Sequence, residues 1–188
     1  MKKPEAGVLV VLAGPAGVGK GTVVKALVDA YPQLQVSVSA TTRNPRPDEI
    51  DGVSYFFVDD VRFDEMVARG ELLEWATVHG KHRYGTPRKW VEEQLIAGNN
   101  VLLEIDLDGA RQVKQALPQS LSIFLAPPSW EELEQRLRER GTETEEEIQR
   151  RLQTAKTELE AASEFDSVIV NEILDLTVKE LASRLQLR

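Results

Sequence analysis

The sequence contains no cysteine and only two histidines among its 188 residues. Without thiolates the chain forms neither disulfides nor cysteine-ligated metal centres, which fits a reducing compartment. His79 and His82 are close in sequence, but no other ligand-like residues accompany them, so a zinc site is not indicated. These absences exclude a disulfide-rich secreted domain and favour a cytoplasmic protein.

Long apolar runs and an excess of basic residues are also missing. No stretch approaches the roughly 20 apolar residues of a membrane-spanning helix. The apolar run after Lys2 and Lys3 is broken by Gly14 and Pro15, so it is too short for a signal peptide. With 31 acidic and 23 basic side chains the formal net charge is −8. We therefore expect neither a nucleic-acid partner nor a membrane partner.

The remaining composition is that of an ordinary folded protein, with 41% hydrophobic and 29% charged residues. A chain of this length buries most of its apolar surface in one domain, with room for small inserted lobes. Between about Ser37 and Tyr84, antiparallel-looking β segments interrupt a regular alternation of strands and helices. The pattern predicts a three-layer α/β fold with a mostly parallel sheet, made of a core (1–36 and 87–188) and an inserted lobe (37–86).

The stretch from Gly14 to Thr22 reads Gly-Pro-Ala-Gly-Val-Gly-Lys-Gly-Thr. It follows an apolar run, Val8 to Ala13, and precedes a helical pattern, which is the context of a phosphate-binding loop. The glycines allow a tight turn whose N–H groups face a phosphate, while the helix N-terminus and Lys20 add positive charge. The alternative, a turn that is merely glycine-rich, does not account for three glycines and a lysine at this spacing.

Two further features suit phosphate chemistry. The apolar strand from Val101 ends in an acid, Asp106, and in phosphate-loop enzymes such an acid holds magnesium or its waters. Its alternative role is that of an ordinary turn residue. Arginines occupy two polar segments, and their planar forks suit phosphoryl oxygens, although each taken alone could be solvated surface charge. They are Arg43, Arg46, Arg136, Arg140, Arg150 and Arg151.

Several short motifs, in order and at proper separations along nearly the whole chain, closely resemble those of guanylate kinases. They are Ser37-Val-Ser-Ala-Thr-Thr-Arg-Asn-Pro-Arg-Pro, Gly52-Val-Ser-Tyr-Phe-Phe, Glu71-Leu-Leu-Glu-Trp, Tyr84-Gly-Thr, Leu103-Glu-Ile-Asp, Ala126-Pro-Pro-Ser, Arg138-Glu-Arg-Gly-Thr-Glu-Thr-Glu-Glu and Val168-Ile-Val-Asn. The resemblance implies a phosphate-loop nucleoside monophosphate kinase fold with a GMP-binding lobe and a mobile lid at about 137–152. The implied reaction is ATP + GMP ⇌ ADP + GDP with Mg²⁺, by a monomer or homodimer.

The resemblance also implies a role for each site residue. The ATP site would comprise Gly14, Pro15, Ala16, Gly17, Val18, Gly19, Lys20, Gly21, Thr22 and, at the adenine, Asn171. The GMP phosphate would be held by Ser39, Arg43, Arg46, Tyr55 and Tyr84, and guanine would be read by Glu74, Thr86 and Glu104. The catalytic set would be Lys20, Arg43, Arg136, Arg140 and Arg151.

The chain departs from the family pattern at four places. Gly21 stands where a magnesium-binding hydroxyl is usual, so we expect phosphates and water to hold the ion, with Asp106 acting through water and Thr22 donating to a phosphate. Glu104 replaces an aspartate, and Asp108 replaces a common glutamine. One extra residue before Tyr84 makes Arg83 a candidate phosphate contact.

Two other functions remain to be weighed. The Gly-Lys-Gly-Thr sequence also resembles adenylate kinases, which favours testing other nucleoside monophosphates as acceptors. A non-catalytic guanylate-kinase-like interaction module is the second alternative. Such modules typically have degraded phosphate loops, whereas this chain keeps Lys20 and the lid arginines.

Overall fold

The computed structural model describes residues 6–78, 81–139 and 144–187. In chain order the elements are β1 (Leu9–Ala13), α1 (Lys20–Ala30), β2 (Gln35–Val36), β3 (Ala40–Thr41), β4 (Phe56–Phe57), α2 (Asp60–Ala68), β5 (Leu72–Val78), β6 (His82–Pro87), α3 (Arg88–Ile96), β7 (Val101–Glu104), α4 (Leu107–Ala116), β8 (Leu121–Ala126), α5 (Trp130–Glu139), α6 (Glu145–Glu160), a 3₁₀ turn (Ala161–Glu164), β9 (Ser167–Val170) and α7 (Leu174–Arg184).

The central sheet has five strands in the order β2-β7-β1-β8-β9, all parallel. Successive side chains of β1 enter two different cores, because side chains alternate across a strand. Val10 and Leu12 pack with α1, α5, α6 and α7, whereas Leu9, Val11 and Ala13 pack with α3 and α4. The predicted α/β fold with a mostly parallel sheet is therefore confirmed.

A second sheet follows the order β4-β3-β6-β5. Strands β5 and β6 pair antiparallel, as do β3 and β6. The expectation of antiparallel β is wrong for β3 and β4, which run parallel with Ala40 opposite Phe56, because the segment between them crosses back before β4 begins. Helix α2 covers this sheet and buries Phe63 and Met66 against Leu72.

Some element boundaries also differ from the expectation. The alternation Val36-Ser-Val-Ser predicts a strand, but only Val36 belongs to one, β2, and β3 begins at Ala40 in the other sheet. The run Val53-Ser-Tyr-Phe-Phe-Val also predicts a strand, but this strand is confined to Phe56–Phe57, since the chain turns just before it and the Gly52 N–H donates to the Tyr55 carbonyl at 2.7 Å. These differences lie where the chain leaves the central sheet.

Two contacts tie the second sheet to the central one. Leu73 of β5 is buried in the core beneath α3 and α4. The Gln112 side chain on α4 pairs with the backbone of Trp75, donating to its carbonyl at 2.8 Å and accepting from its N–H at 3.1 Å. Strand β5 is therefore held against α4 by the Gln112 side chain. Among the described residues no helix is long and apolar enough to span a membrane.

Candidate functional site

The loop between β1 and α1 adopts the conformation that its glycines permit. Gly17 and Gly19 both have positive φ, at 87° and 96°, and Gly19 directly precedes α1. A side chain at Gly19 would also place its Cβ only 2.8 Å from Asn171 Nδ2. Left-handed residues within a tight turn point successive N–H groups to one side, which makes an anion-binding concavity at the helix N-terminus.

Lys20 folds back over this loop. Its ammonium donates to the Gly14 carbonyl at 2.5 Å and to the Pro15 carbonyl at 3.3 Å. Gly21 and Thr22 follow on the exposed side of α1. A Cβ on Gly21 would lie 3.9 Å from Glu104 Oε1, so the Glu104 carboxylate stands opposite the loop.

Asn171, which follows β9, and Arg136, which lies in α5, contact the loop from the other side. The Asn171 amide donates to the Val18 carbonyl at 2.8 Å, and the same oxygen accepts from Arg136 at 3.3 Å. The Arg136 guanidinium also donates to the Asn171 carbonyl at 3.3 Å. Asn171 is buried, with 7% of its surface exposed. The structure thus brings both residues to the phosphate loop.

The second sheet assembles a group of one arginine and two tyrosines. Arg43 Nε donates to the Tyr84 hydroxyl at 3.2 Å, and its guanidinium lies over the Tyr55 ring at 5.4 Å from the centroid. Glu49 accepts from Arg43 at 2.8 Å and from the backbone N–H of Arg46 at 2.8 Å. Hydrogen bonding to Glu49 raises the pKa of Arg43, and the same contact lowers the pKa of Glu49. Burial raises the pKa of the Tyr55 phenol.

Glu74 and Thr86 form a buried polar pair where β5 and β6 face α4. The Thr86 hydroxyl donates to Glu74 Oε1 at 2.6 Å, and only 4% of Glu74 is exposed. The pKa of the Glu74 carboxyl is raised to about 7, chiefly by burial and also by the charge of Asp106, against the hydrogen bonding of Thr86, which lowers it. A Cβ on Gly109 would lie 2.7 Å from Glu74 Oε2, so the glycine allows this close approach.

Glu104 ends β7 and Asp106 follows it, between the phosphate loop and the pair Glu74 and Thr86; we call this region the cleft. The Glu104 side chain is exposed, and desolvation by the surrounding protein raises the pKa of its carboxyl while Lys20 lowers it. Asp106 caps α4, since its Oδ1 accepts from the Gly109 N–H at 2.8 Å. The sequence pattern predicts a helix from about Gly109 to Ala116, but this cap starts it at Leu107.

The donor set fits a magnesium ion that keeps phosphate and water as most of its ligands, the usual arrangement for this ion. Position 21 offers no hydroxyl, and one oxygen of Asp106 already accepts a backbone hydrogen bond. In the part of the chain that the structure describes, no group of three or more His, Cys, Asp or Glu side chains is placed to hold a metal. Asp106 is therefore suited to contact such an ion through water.

The other predicted residues lie nearer the protein surface. Ser39 is half-buried beside β3, the Arg46 side chain is exposed, and Arg151 is half-buried on α6. Arg140 lies outside the described residues. Arg83, which the sequence offered as a phosphate contact, instead donates to Asp60 and Asp64 of α2 and lies over the Phe63 ring.

The sequence did not single out three residues that the structure brings to the cleft. Glu49 is the partner of Arg43, and its position three residues after Arg46 in the same polar loop was an available signal. Gln112 fixes β5 and had no such signal. Glu158 lies seven positions after Arg151 on α6, near Lys20; burial raises the pKa of its carboxyl and Lys20 lowers it.

Comparisons with known proteins identify the family of the chain. The guanylate kinase family model matches residues 6–187. The chain is 57% identical over 182 residues to a guanylate kinase from Synechococcus sp. (strain CC9902), covering 97% of each chain. It is 58% identical over 173 residues to a guanylate kinase from Thermobifida fusca, covering 92% of this chain and 88% of the relative.

A crystal structure of guanylate kinase from Anaplasma phagocytophilum superposes with a TM-score of 0.78 at 35% identity. The match covers 97% of this chain and 86% of that one. The similarity therefore extends through both sheets and the phosphate loop rather than through one motif. Because the family model spans residues 6–187 and curated relatives are more than 50% identical in sequence, the chain belongs to the guanylate kinase family of nucleoside monophosphate kinases.

Proposed function

We propose that this chain transfers the γ-phosphoryl group of ATP to GMP, giving ADP and GDP, with Mg²⁺ bound to the nucleotide. The observation that carries the proposal is the buried pair Glu74 and Thr86, which lies close to Asp106 after β7, the strand next to the one that leads into the phosphate loop. A desolvated carboxylate in this position can accept hydrogen bonds from the base of a bound nucleotide.

Guanine presents an N–H and an amino group side by side, and both donate hydrogen bonds. An ionised Glu74 accepts both, whereas adenine would place an acceptor against the carboxylate. A buried mismatch of this kind rejects the wrong base by up to roughly 10⁴-fold or more. Thr86 orients the carboxylate through Oε1, and Glu104 at the cleft floor reads guanine directly or through water.

The GMP phosphate binds the group made by Arg43, Tyr55 and Tyr84, with Ser39 and Arg46 completing the set. Arg43 is held in place by Tyr84 and Glu49, so its fork is oriented before the ligand arrives. A pre-oriented arginine loses less conformational freedom on binding, and it keeps its proton at every physiological pH.

ATP binds along the loop from Gly14 to Thr22. The loop N–H groups and the start of α1 receive the phosphates, and Lys20 exchanges its carbonyl partners for phosphate oxygens. Magnesium supplies positive charge to the same oxygens when it is bound with ATP. Thr22 donates to a phosphate, and Asp106 holds the ion through water.

Transfer needs in-line placement and positive charge rather than a covalent protein intermediate. Lys20, Arg43 and the arginines at positions 136, 140 and 151 supply that charge. Water must be excluded, because ATP would otherwise be hydrolysed. We assign this task to closure of a lobe (37–86) and a lid (about 137–152) over the core, in a cytoplasmic monomer or homodimer.

The test is a coupled ADP-release assay with GMP, AMP, CMP and UMP as acceptors. We expect GMP to be preferred, and a preference for AMP would overturn the assignment in favour of another nucleoside monophosphate kinase. Lys20→Met should lower turnover by at least about a hundredfold, since it removes a charge from the transferring group, while GMP binding persists. Lys25→Met, on the exposed side of α1 where Lys25 pairs with Asp29, is the matched control.

A further inference from the structure

We infer that Asn171 is a positioning residue for the phosphate loop, which it shapes by holding the Val18 carbonyl. This inference rests on the proposed ATP site and replaces the adenine contact that the resemblance implies for Asn171. In this role the Asn171 side chain binds the backbone of the loop rather than the adenine base.

The first support is the set of hydrogen bonds that Asn171 already makes within the protein. Its side-chain amide donates to the Val18 carbonyl at 2.8 Å, its backbone N–H donates to Ala126, and its carbonyl accepts from Arg136. Asn171 is 7% exposed. One N–H of the side-chain amide is therefore committed to the loop backbone, and the buried side chain leaves little surface for a ligand.

The second support is the geometry of the peptide that follows. The peptide bond is planar and trans, so a carbonyl and the next N–H point in opposite directions. Because Asn171 and Arg136 both hold the Val18 carbonyl, the Gly19 N–H points away from them, into the concave side of the loop. Fixing one carbonyl thus aims one phosphate-binding donor.

The third support is the fit between Asn171 and Gly19. The left-handed conformation of Gly19, with φ of 96°, turns the loop into α1. A Cβ at this glycine would approach Asn171 Nδ2 to 2.8 Å. The glycine is therefore required both by its backbone conformation and by the asparagine packed on it, which makes the two residues one unit.

A base-free ligand separates the two roles of Asn171. We compare ATP and inorganic tripolyphosphate by titration calorimetry on the full chain and on Asn171→Ala. If Asn171 positions the loop, both ligands lose affinity by the same factor, about tenfold for one buried hydrogen bond, while GMP affinity is unchanged. If it contacts adenine, only ATP loses affinity, and the inference is overturned. Unchanged affinity for both ligands overturns it equally.

Asn100→Ala is the matched control, because the Asn100 amide also donates to a backbone carbonyl, that of Leu185 at 3.1 Å. Asn100 precedes β7 at the amino ends of the parallel strands, whereas Asn171 follows β9 at their carboxyl ends. The control substitution should change tripolyphosphate affinity by less than about twofold, as expected for distant sites. Asn171→Ser serves if the alanine variant does not fold. In ligand-free protein, Asn171→Ala should also alter the Gly19 amide resonance and speed its hydrogen exchange.

These measurements keep the inference apart from the proposed function. If the unmodified chain binds tripolyphosphate but not GMP, the kinase assignment fails, and the effect of Asn171→Ala on tripolyphosphate still decides the role of the asparagine. If Asn171→Ala lowers thermal stability and weakens GMP as much as tripolyphosphate, Asn171 is a general structural residue and the inference is wrong.

Discussion

The buried carboxyl of Glu74 sets a measurable conflict between stability and GMP binding. Its pKa is raised from the ordinary 4.5 to about 7 in the folded protein. Since the folded state binds this proton more tightly than the unfolded state, the contribution of Glu74 to stability is full below about pH 4.5 and is lost as pH rises to about 7. At about 1.4 kcal/mol per pH unit, the loss reaches roughly 3 kcal/mol at pH 8.

Glu74→Gln removes this titration while keeping an oxygen for the Thr86 hydroxyl. We expect the variant to exceed the parent in free energy of unfolding by about 1–3 kcal/mol at pH 8, and to match it near pH 5. Denaturant titrations followed by circular dichroism at both pH values measure the difference. Glu71→Gln is the matched control, because the exposed Glu71 carboxylate pairs with Arg62, which lowers its pKa, so this variant should gain nothing at pH 8.

The same substitution should damage GMP binding. A glutamine opposes one donor of guanine with a donor of its own, so we expect the Kd for GMP to rise by about a hundredfold or more at pH 8. In the parent, affinity should fall as pH drops below about 7, because the carboxylate must be ionised to accept both hydrogen bonds. The variant, titrated with the same ligand, corrects for protonation of the GMP phosphate. A variant less stable than the parent at pH 8, or one that binds GMP equally well, would refute this account of Glu74.

Three further substitutions test single contacts. Gly109→Ala suits helix α4 but places a Cβ 2.7 Å from Glu74 Oε2, so calorimetry should show GMP affinity about tenfold weaker with ATP affinity unchanged; parental GMP affinity would count against this contact. Gly21→Ser should fold normally and keep turnover within about threefold, since its Cβ would lie 3.9 Å from Glu104 Oε1, an ordinary contact; a failure to fold would show that the space is absent. Arg83→Gln should lower the melting temperature but change the KM for GMP by less than about threefold, and a large rise in KM would make it a phosphate contact after all.

The phosphate loop and the central sheet were predictable because their signals are local. An apolar run, a glycine-rich turn and a helical pattern occupy one continuous stretch, from Val8 to Ala30. Thr144 followed three residues later by Glu147 likewise predicts a capping box, and the structure shows both of its hydrogen bonds. Such features depend on neighbours a few residues away, which the sequence displays directly.

The electrostatics of the cleft depended on contacts that the sequence does not display. Arg83 was a reasonable phosphate candidate until α2 brought Asp60 and Asp64 against it, about twenty residues away in sequence. The raised pKa of the Glu74 carboxyl likewise depends on the first turn of α4, where Gly109 packs against Glu74 of β5. Residue type suggested the chemistry, but tertiary packing decided which charges face the cleft.

The charges proposed to bind phosphate already have partners in this structure. Lys20 donates to two carbonyls of its own loop, and Arg43 uses three of its five N–H groups on Tyr84, Asn44 and Glu49. A phosphate must replace or join these partners, so the binding energy of each ligand is a difference between two sets of contacts. Neutral carbonyls are weaker acceptors for an ammonium than a phosphate dianion, whereas Glu49 competes with GMP as an anion for the same guanidinium. If these residues bind as proposed, the exchange favours ATP phosphates at Lys20 more than the GMP phosphate at Arg43. Selectivity for GMP would then depend chiefly on the proposed base-reading pair, Glu74 and Thr86.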